Sequence, residues 1–446
     1  RHLPARAARG QGLMRVALLV TFSAGLAACG SCSRAEDGPK GAPSAVTAPS
    51  SSAVAEALPR CRGDSQRLAL PGEDVVVGDV AIGAAGILAG LVRTDAAGKR
   101  VASVLSAPVD LSSSRVVDVG PAFGDDPPPS PRWAAGARFV AYLARQASDG
   151  GAKLRTLHLA RLEDGSVGRM EATVVQQADE STSFDVAWSE GSGLAAWDED
   201  APSKDDAGLF RAPDRGFVKV QPLGEPSRPR VASPEASDAE SPRLLARPGG
   251  FWLAWIAKRT EDDAHYVEGP GEKRAFRWVE VVALDPRGEA AGPVRRVSSE
   301  KGRAVAFELA RSGSDLVVIV QDEAAPSEGA GSRIVRHVVG DRIESTDVVD
   351  GGVGHSIAEV VPVARSEGAP GEGARWLAWT DTAERARLTP LGSGLAAGGP
   401  PTFEPTLDGA RVLAAAPPDV VYALVGAAEP SAKPLSRPEL RRFLCR

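Results

Sequence analysis

Beyond residue 60 the apolar positions fall in short runs separated by turns, and one unit recurs. It has a first strand, a Gly-containing turn, then an apolar strand that often ends in Ala-Trp. The unit is clearest at Ser130-Pro131-Arg132-Trp133-Ala134-Ala135-Gly136-Ala137-Arg138-Phe139-Val140-Ala141-Tyr142. Ser241-Pro242-Arg243-Leu244-Leu245-Ala246-Arg247-Pro248-Gly249-Gly250-Phe251-Trp252-Leu253-Ala254-Trp255 repeats it closely. The hairpin returns over 184–197, 307–319 and 361–379, with weaker copies at 86–91 and 420–424. Further strands are predicted at 154–159, 278–284 and 332–339, each followed by a turn signal. No stretch after residue 60 sustains a helical apolar period.

With Ala89, Ala141, Ala196, Ala254, Val318, Ala378 and Ala423 taken as equivalent, the intervals are 52, 55, 58, 64, 60 and 45 residues. Such spacing fits a four-stranded sheet with elaborated loops, and sheets that cannot bury both faces alone stack radially. The expected fold is all-β, a seven-bladed β-propeller over residues 61–446. Two or three tandem β-sandwiches are the competing architecture.

Length and composition narrow the picture. At 446 residues the chain exceeds the roughly 250–300 at which one core stops growing, which requires repeats or several domains. The 48 Gly and 35 Pro against 2 Met favour short strands and turns over long helices. A net charge of -6 argues against nucleic acid as a partner.

The first 60 residues read differently. Met14-Arg15 is followed by an apolar stretch, Val16 to Gly25, too short to span a bilayer, which predicts a signal peptide over 1–28. Residues 1–13 are expected to lie upstream of the true initiator, Met14. Leu26-Ala27-Ala28-Cys29 then resembles the bacterial lipobox, which implies that Cys29 is lipidated and becomes the mature N-terminus. The other reading is an ordinary secretory signal with an incidental cysteine. Residues 29–60 are small and polar, without apolar period, and are expected to be a disordered tether, with a binding segment of its own as the alternative. Gly30 rather than Asp after the anchor resembles lipoproteins sorted to the outer membrane. The implied location is the bacterial cell envelope, with the membrane reached through the lipid.

Cys61 and Cys445 flank the part expected to fold, and in an oxidising compartment they are predicted to bond. Closing a loop of about 385 residues is worth roughly 5–6 kcal/mol as an upper figure in the chain-entropy model. Cys32 is left as the odd cysteine, and no spacing suggests a zinc site.

Ser130-Pro131-Arg132-Trp133, its turn and Arg138-Phe139-Val140-Ala141-Tyr142 together resemble the WD40-like repeat of TolB-type periplasmic propellers. In that repeat a Pro-x-Trp-Ser strand meets a Pro-Asp-Gly turn; here the turn is Ala134-Ala135-Gly136 and lacks the Pro-Asp pair. The resemblance implies a propeller in an envelope setting and carries over no catalytic residue.

The sequence holds no catalytic motif of the zincin, nucleophile-elbow or P-loop type. The histidines are scattered, and His158 and His337 read as ordinary strand residues. Trp188, Trp197, Trp252, Trp255 and Trp379 fit blade packing better than a carbohydrate pocket. The candidate binding residues are acids in loops after the second strand of each unit: Asp198, Asp200, Asp205, Asp206, Asp262, Asp263, Asp322 and Asp381, with Asp95, Asp149 and Glu429 at like positions. Equivalent repeat positions point to one face, so these acids would form a rim. Its oxygen ligands suit Ca²⁺, although the segment 198–206 lacks the spacing and central Gly of an EF-hand loop, and Asp is a common turn residue. No other cofactor is expected. The function read from this pattern is non-catalytic docking of an envelope protein or glycan, against a propeller hydrolase or lyase acting on glycans.

Overall fold

The computed structural model describes residues 61–445 apart from several stretches, the longest being 201–215, 348–375, 391–409 and 426–437. The chain divides between Glu56 and Ala57, and every described residue belongs to the second unit, Ala57–Arg446. Among the described residues there is no helix; all regular structure is antiparallel strand.

The chain lays down consecutive four-stranded meanders. The first is β2 (Glu73–Gly83), β3 (Gly86–Thr94), β4 (Arg100–Ala107) and β5 (Arg115–Pro121). The second is β6 (Ser130–Ala134), β7 (Ala137–Ala147), β8 (Lys153–Glu163) and β9 (Ser166–Val175). The third is β10 (Phe184–Ser189), β11 (Ser192–Asp200), β12 (Gly216–Pro222) and β13 (Arg230–Val231). The fourth is β14 (Asp238–Arg247), β15 (Gly250–Lys258), β18 (Arg277–Leu284) and β19 (Arg295–Arg296), interrupted by the separate hairpin of β16 (His265–Glu268) and β17 (Glu272–Ala275). The fifth is β20 (Ala304–Ser312), β21 (Asp315–Glu323), β22 (Ser332–Val339) and β23 (Ile343–Asp347). A two-stranded sheet follows, β24 (Trp376–Thr380) with β25 (Ala386–Pro390). The last sheet joins β26 (Ala410–Ala416), β27 (Val420–Val425) and β28 (Glu439–Cys445) to β1 (Cys61–Ala69), in the order β1-β28-β27-β26.

The second strand of each meander shows why these sheets stack. In β15, Phe251, Leu253, Trp255 and Ala257 point one way, into a core shared with Leu194, Ala196, Val218 and Val220 of the third sheet. Ala254 and Ile256 point the other way, into a core shared with Phe307, Leu316, Val318 and Val320 of the fifth. Successive side chains on a strand face opposite sides, so a continuous apolar run marks a sheet buried on both faces. β3 behaves likewise: Ile87, Ala89 and Leu91 pack with Tyr422, Leu424 and Leu440 of the last sheet, and Leu88 with Val140, Ala160 and Leu162 of the second. The chain therefore closes on itself as a β-propeller, which replaces the tandem-sandwich alternative. Six four-stranded sheets are described, and β24–β25 stands between the fifth and the last in chain order.

Closure comes from strand exchange. β1 supplies the outermost strand of a sheet otherwise built from the C-terminal end, with Cys61 directly opposite Cys445 in the register. Hairpins between first and second strands are tight: Ser189 pairs with Ser192 across Glu190-Gly191, both at positive φ, as a type I′ turn requires. Gly90 is needed for a different reason, since a Cβ there would lie 1.7 Å from the carbonyl oxygen of Pro129 at the entry to the second sheet.

His337 on β22 is buried, with Nδ1 2.8 Å from the Ser345 hydroxyl, and burial pushes its imidazole down to about 4 from 6.5. The folded state keeps this ring neutral while the unfolded chain protonates it. Its contribution is therefore complete above pH 6.5 and is lost as the pH falls toward 4, by up to about 3 kcal/mol. Urea midpoints at pH 7 and 5 should show this loss, and His337→Gln should flatten it.

Candidate functional site

The first strand of each meander lines the propeller axis, and these strands carry charge in otherwise apolar surroundings. Four residues before the end of β2, β6, β10, β14 and β20 stand Asp79, Ser130, Asp185, Arg243 and Glu308. Two positions further along β6 is Arg132, on the same face of that strand. Residues of alternating charge, Asp79, Arg132, Asp185, Arg243 and Glu308, thus follow one another across five neighbouring blades.

Arg132 is the centre of this ladder. Its Nη2 donates to Asp79 Oδ2 at 3.1 Å and to Asp185 Oδ1 at 2.8 Å, its Nε to the Val186 carbonyl at 3.3 Å, and its Nη1 to the Pro131 carbonyl at 2.8 Å. The Ser130 hydroxyl also donates to Asp79 Oδ2. Asp185, whose side chain is 2% exposed, accepts further from the backbone N–H of Val186 and of Leu244, each at 2.8 Å. Arg243 repeats the local geometry of Arg132, donating to the carbonyl of its own preceding proline at 3.1 Å, and its Nε lies 3.8 Å from Glu308 Oε1.

These contacts meet a need of the fold. An innermost strand has one edge without a strand partner, and its amides and carbonyls require other acceptors and donors. Arg132 serves Val186, Asp185 serves Leu244, and the Ser189 hydroxyl serves the Arg247 carbonyl at 2.7 Å, each reaching from one blade to the next.

The electrostatics agree with this arrangement. Burial would raise the Asp79 carboxyl, but the Arg132 guanidinium and the Ser130 hydrogen bond outweigh it and hold the group below 3.8. Burial would lower Arg132 and Arg243, and the carboxylates around them, Asp79 and Asp185 for the first and Glu308 foremost for the second, raise them instead. A carboxylate with a depressed value stabilises the fold above its unfolded value and loses that contribution as pH falls. The ladder should therefore add a second loss of stability below pH 3.8, separate from that of His337.

The acids expected on a rim are placed differently where they are described. Asp198 is buried: Oδ1 accepts from the Ser183 N–H at 2.7 Å and Oδ2 from the Ser241 N–H at 2.9 Å in the next blade. Ser241 sits at φ 56 beside a β-bulge, which turns its amide away from the ladder of β15 and toward Asp198. Asp322 accepts from the Arg303 N–H at 2.6 Å. These two carboxylates hold backbone at the blade ends; Asp198 is buried rather than exposed on a rim, and Asp322 is half-buried. Asp200 is described only as backbone of β11, and Asp205, Asp206, Asp262, Asp263 and Asp381 lie outside the described residues. Among the described residues no cluster of His, Cys, Asp or Glu is placed to hold a metal ion. Cys29 also lies outside them.

The recurring Ala-Trp has a structural role. Trp197 and Trp255 are fully buried, and their indole N–H groups reach Glu199 Oε2 at 3.2 Å and Glu280 Oε2 at 3.1 Å. Trp188 is partly exposed and stacks on Phe139 with centroids 4.7 Å apart.

Sheet order and the shared cores define a protein of the β-propeller class. No family model matches the chain, and no curated protein matches it. Among solved structures it is similar to the acylaminoacyl peptidase of Pyrococcus horikoshii, at 11% identity over 78% of this chain and 49% of that one, TM-score 0.46. It is also similar to the polysaccharide lyase Uly1, at 10% identity over 85% and 91%, TM-score 0.48. A third is the β-propeller domain of the Trilobed protease from Pyrococcus furiosus, at 9% identity over 78% and 91%, TM-score 0.44. The chain spans about half the length of the acylaminoacyl peptidases it matches.

Proposed function

We propose that this is a non-catalytic lipoprotein of the bacterial envelope, anchored through Cys29, whose TolB-like propeller of seven blades docks a protein or glycan partner. The observation that carries the reading is the state of the axial carboxylates. A glycosidase needs two carboxyl groups flanking a bond, one of them able to give a proton near neutral pH. Asp79 is held ionised by Arg132, and Asp185 is buried against the same arginine and two backbone amides. Groups so engaged stabilise a ring and do not exchange protons with a substrate. Docking then falls to the loops on the faces, where Asp200, Asp205, Asp206, Asp262, Asp263 and Asp381 would steer a basic partner and bind Ca²⁺ if they converge. Electrostatic steering of this kind weakens with salt.

The test incubates the purified protein with envelope polysaccharides and peptidoglycan, following new reducing ends, unsaturated products and co-sedimentation, and cross-links it to neighbouring proteins in intact envelopes. Retention on one glycan or a specific cross-link, salt-sensitive and without product, is expected. Turnover that stops in an Asp→Asn or Glu→Gln variant would transfer the assignment to the glycan hydrolase or lyase.

A further inference from the structure

We propose that Cys61 and Cys445 form a disulfide across the seam that closes the propeller, and that this bond takes the load of the tether. The backbone carries the argument. Among the described strands, β1 pairs only with β28, along one edge. A register shift between Gly63 and Arg67 separates the start of β1, where Cys61, Arg62 and Gly63 face Cys445, Leu444 and Phe443, from the pairing that resumes at Arg67. This short end segment is the point at which residues 1–60 join the ring, and short pairings at strand ends open most readily.

Cys61 and Cys445 are direct partners in that segment. Directly opposed residues of an antiparallel pair have Cα atoms about 4.5 or 5.5 Å apart, and both values fall within the roughly 4.4–6.8 Å that a disulfide spans. Two thiols lose two protons and two electrons as the Sγ–Sγ bond forms. The electrons pass by thiol–disulfide exchange to a protein disulfide oxidant or glutathione disulfide, which leaves as thiols. The resulting loop takes in the whole ring, so the bond holds together the two ends that strand pairing alone brings together. A pull on the tether then meets Cys445 before it meets the hydrogen bonds of β1. This last consequence rests on the lipoprotein reading, whereas the bond itself does not.

The test uses the full chain exported to an oxidising compartment, wild type and Cys29→Ser, denatured without reductant, alkylated and mapped by mass spectrometry. A peptide pair linking Cys61 to Cys445 is expected in both, with two further alkylation sites appearing after reduction. Cys61→Ser should leave Cys445 alkylated, and cleavage near residue 61 by added protease should rise roughly tenfold in that variant. If the chain is not exported, the lipoprotein reading fails by itself. Oxidation of the purified, folded chain with glutathione disulfide then decides the bond: rapid linkage of Cys61 to Cys445 supports it. Two reactive thiols that never join, or linkage of Cys61 to Cys32, overturns it.

Discussion

Arg132→Ala is expected to cost about 3–5 kcal/mol, the range for breaking a buried ion pair by removing one partner. The reason is what stays behind. Asp185 is 2% exposed, and without Arg132 it loses the guanidinium that donates to it at 2.8 Å. Asp79 loses the same cation, and the Val186 carbonyl loses its donor from the neighbouring blade. Lysine should rescue little, because one ammonium cannot serve Asp79, Asp185 and a carbonyl in the geometry of a planar guanidinium. Arg132→Ala with Asp185→Asn should be less damaged than the two single losses added, since the second change removes the stranded charge. Urea unfolding of the four proteins measures the coupling; strict additivity would mean that the pair does not act as a unit.

Cys29→Ser is expected to abolish lipid attachment, either releasing the protein from the membrane or leaving it unprocessed. A lipid on Cys29 is the one anchor foreseen, because the segment 30–60 contains no apolar stretch able to hold a bilayer. Fractionation of a bacterial host should find the wild type in membranes and labelled by a fatty-acid analogue. The serine variant should be found soluble or unprocessed and unlabelled. Equal membrane fractions with no lipid label on the wild type would argue for an ordinary secretory signal or another anchor.

Much of this fold was legible because a blade buried on both faces writes a continuous apolar run. Ile87-Leu88-Ala89, Leu194-Ala195-Ala196-Trp197 and Phe251-Trp252-Leu253-Ala254-Trp255 each became a second strand; six of the seven positions aligned from sequence fall in second strands, and Ala378 falls in β24 of the two-stranded sheet. The acids at the strand ends were harder. Asp198 and Asp322 looked like loop charges because sequence shows that an acid ends a strand but not which amide lies opposite. In Asp198 that amide comes from Ser241, 43 residues away, and exists only because a bulge exposes it. The axial ladder is hard to read from sequence for a related reason: Arg132 meets Asp79 and Asp185 across separations of 53 residues. A signal was present nonetheless. Ser-Pro-Arg occurs in two first strands, at the start of β6 and in the middle of β14, and a polar or charged residue recurs at one offset before the turn in five of them. A charge at a fixed repeat position inside an apolar element is a lattice contact between repeats more readily than a solvated loop.

The central claim is that the axial carboxylates lock the ring and are not a reactive centre, and hydrogen exchange at two amides tests it directly. Val186 and Leu244 both donate to Asp185. If Asp185 is a permanent tie between blades, these amides open only when the whole propeller unfolds, and their exchange free energies equal the global value from urea. Exchange through a shallow local opening, with the second strands still protected, would contradict the account and return Asp185 to consideration as a working acid.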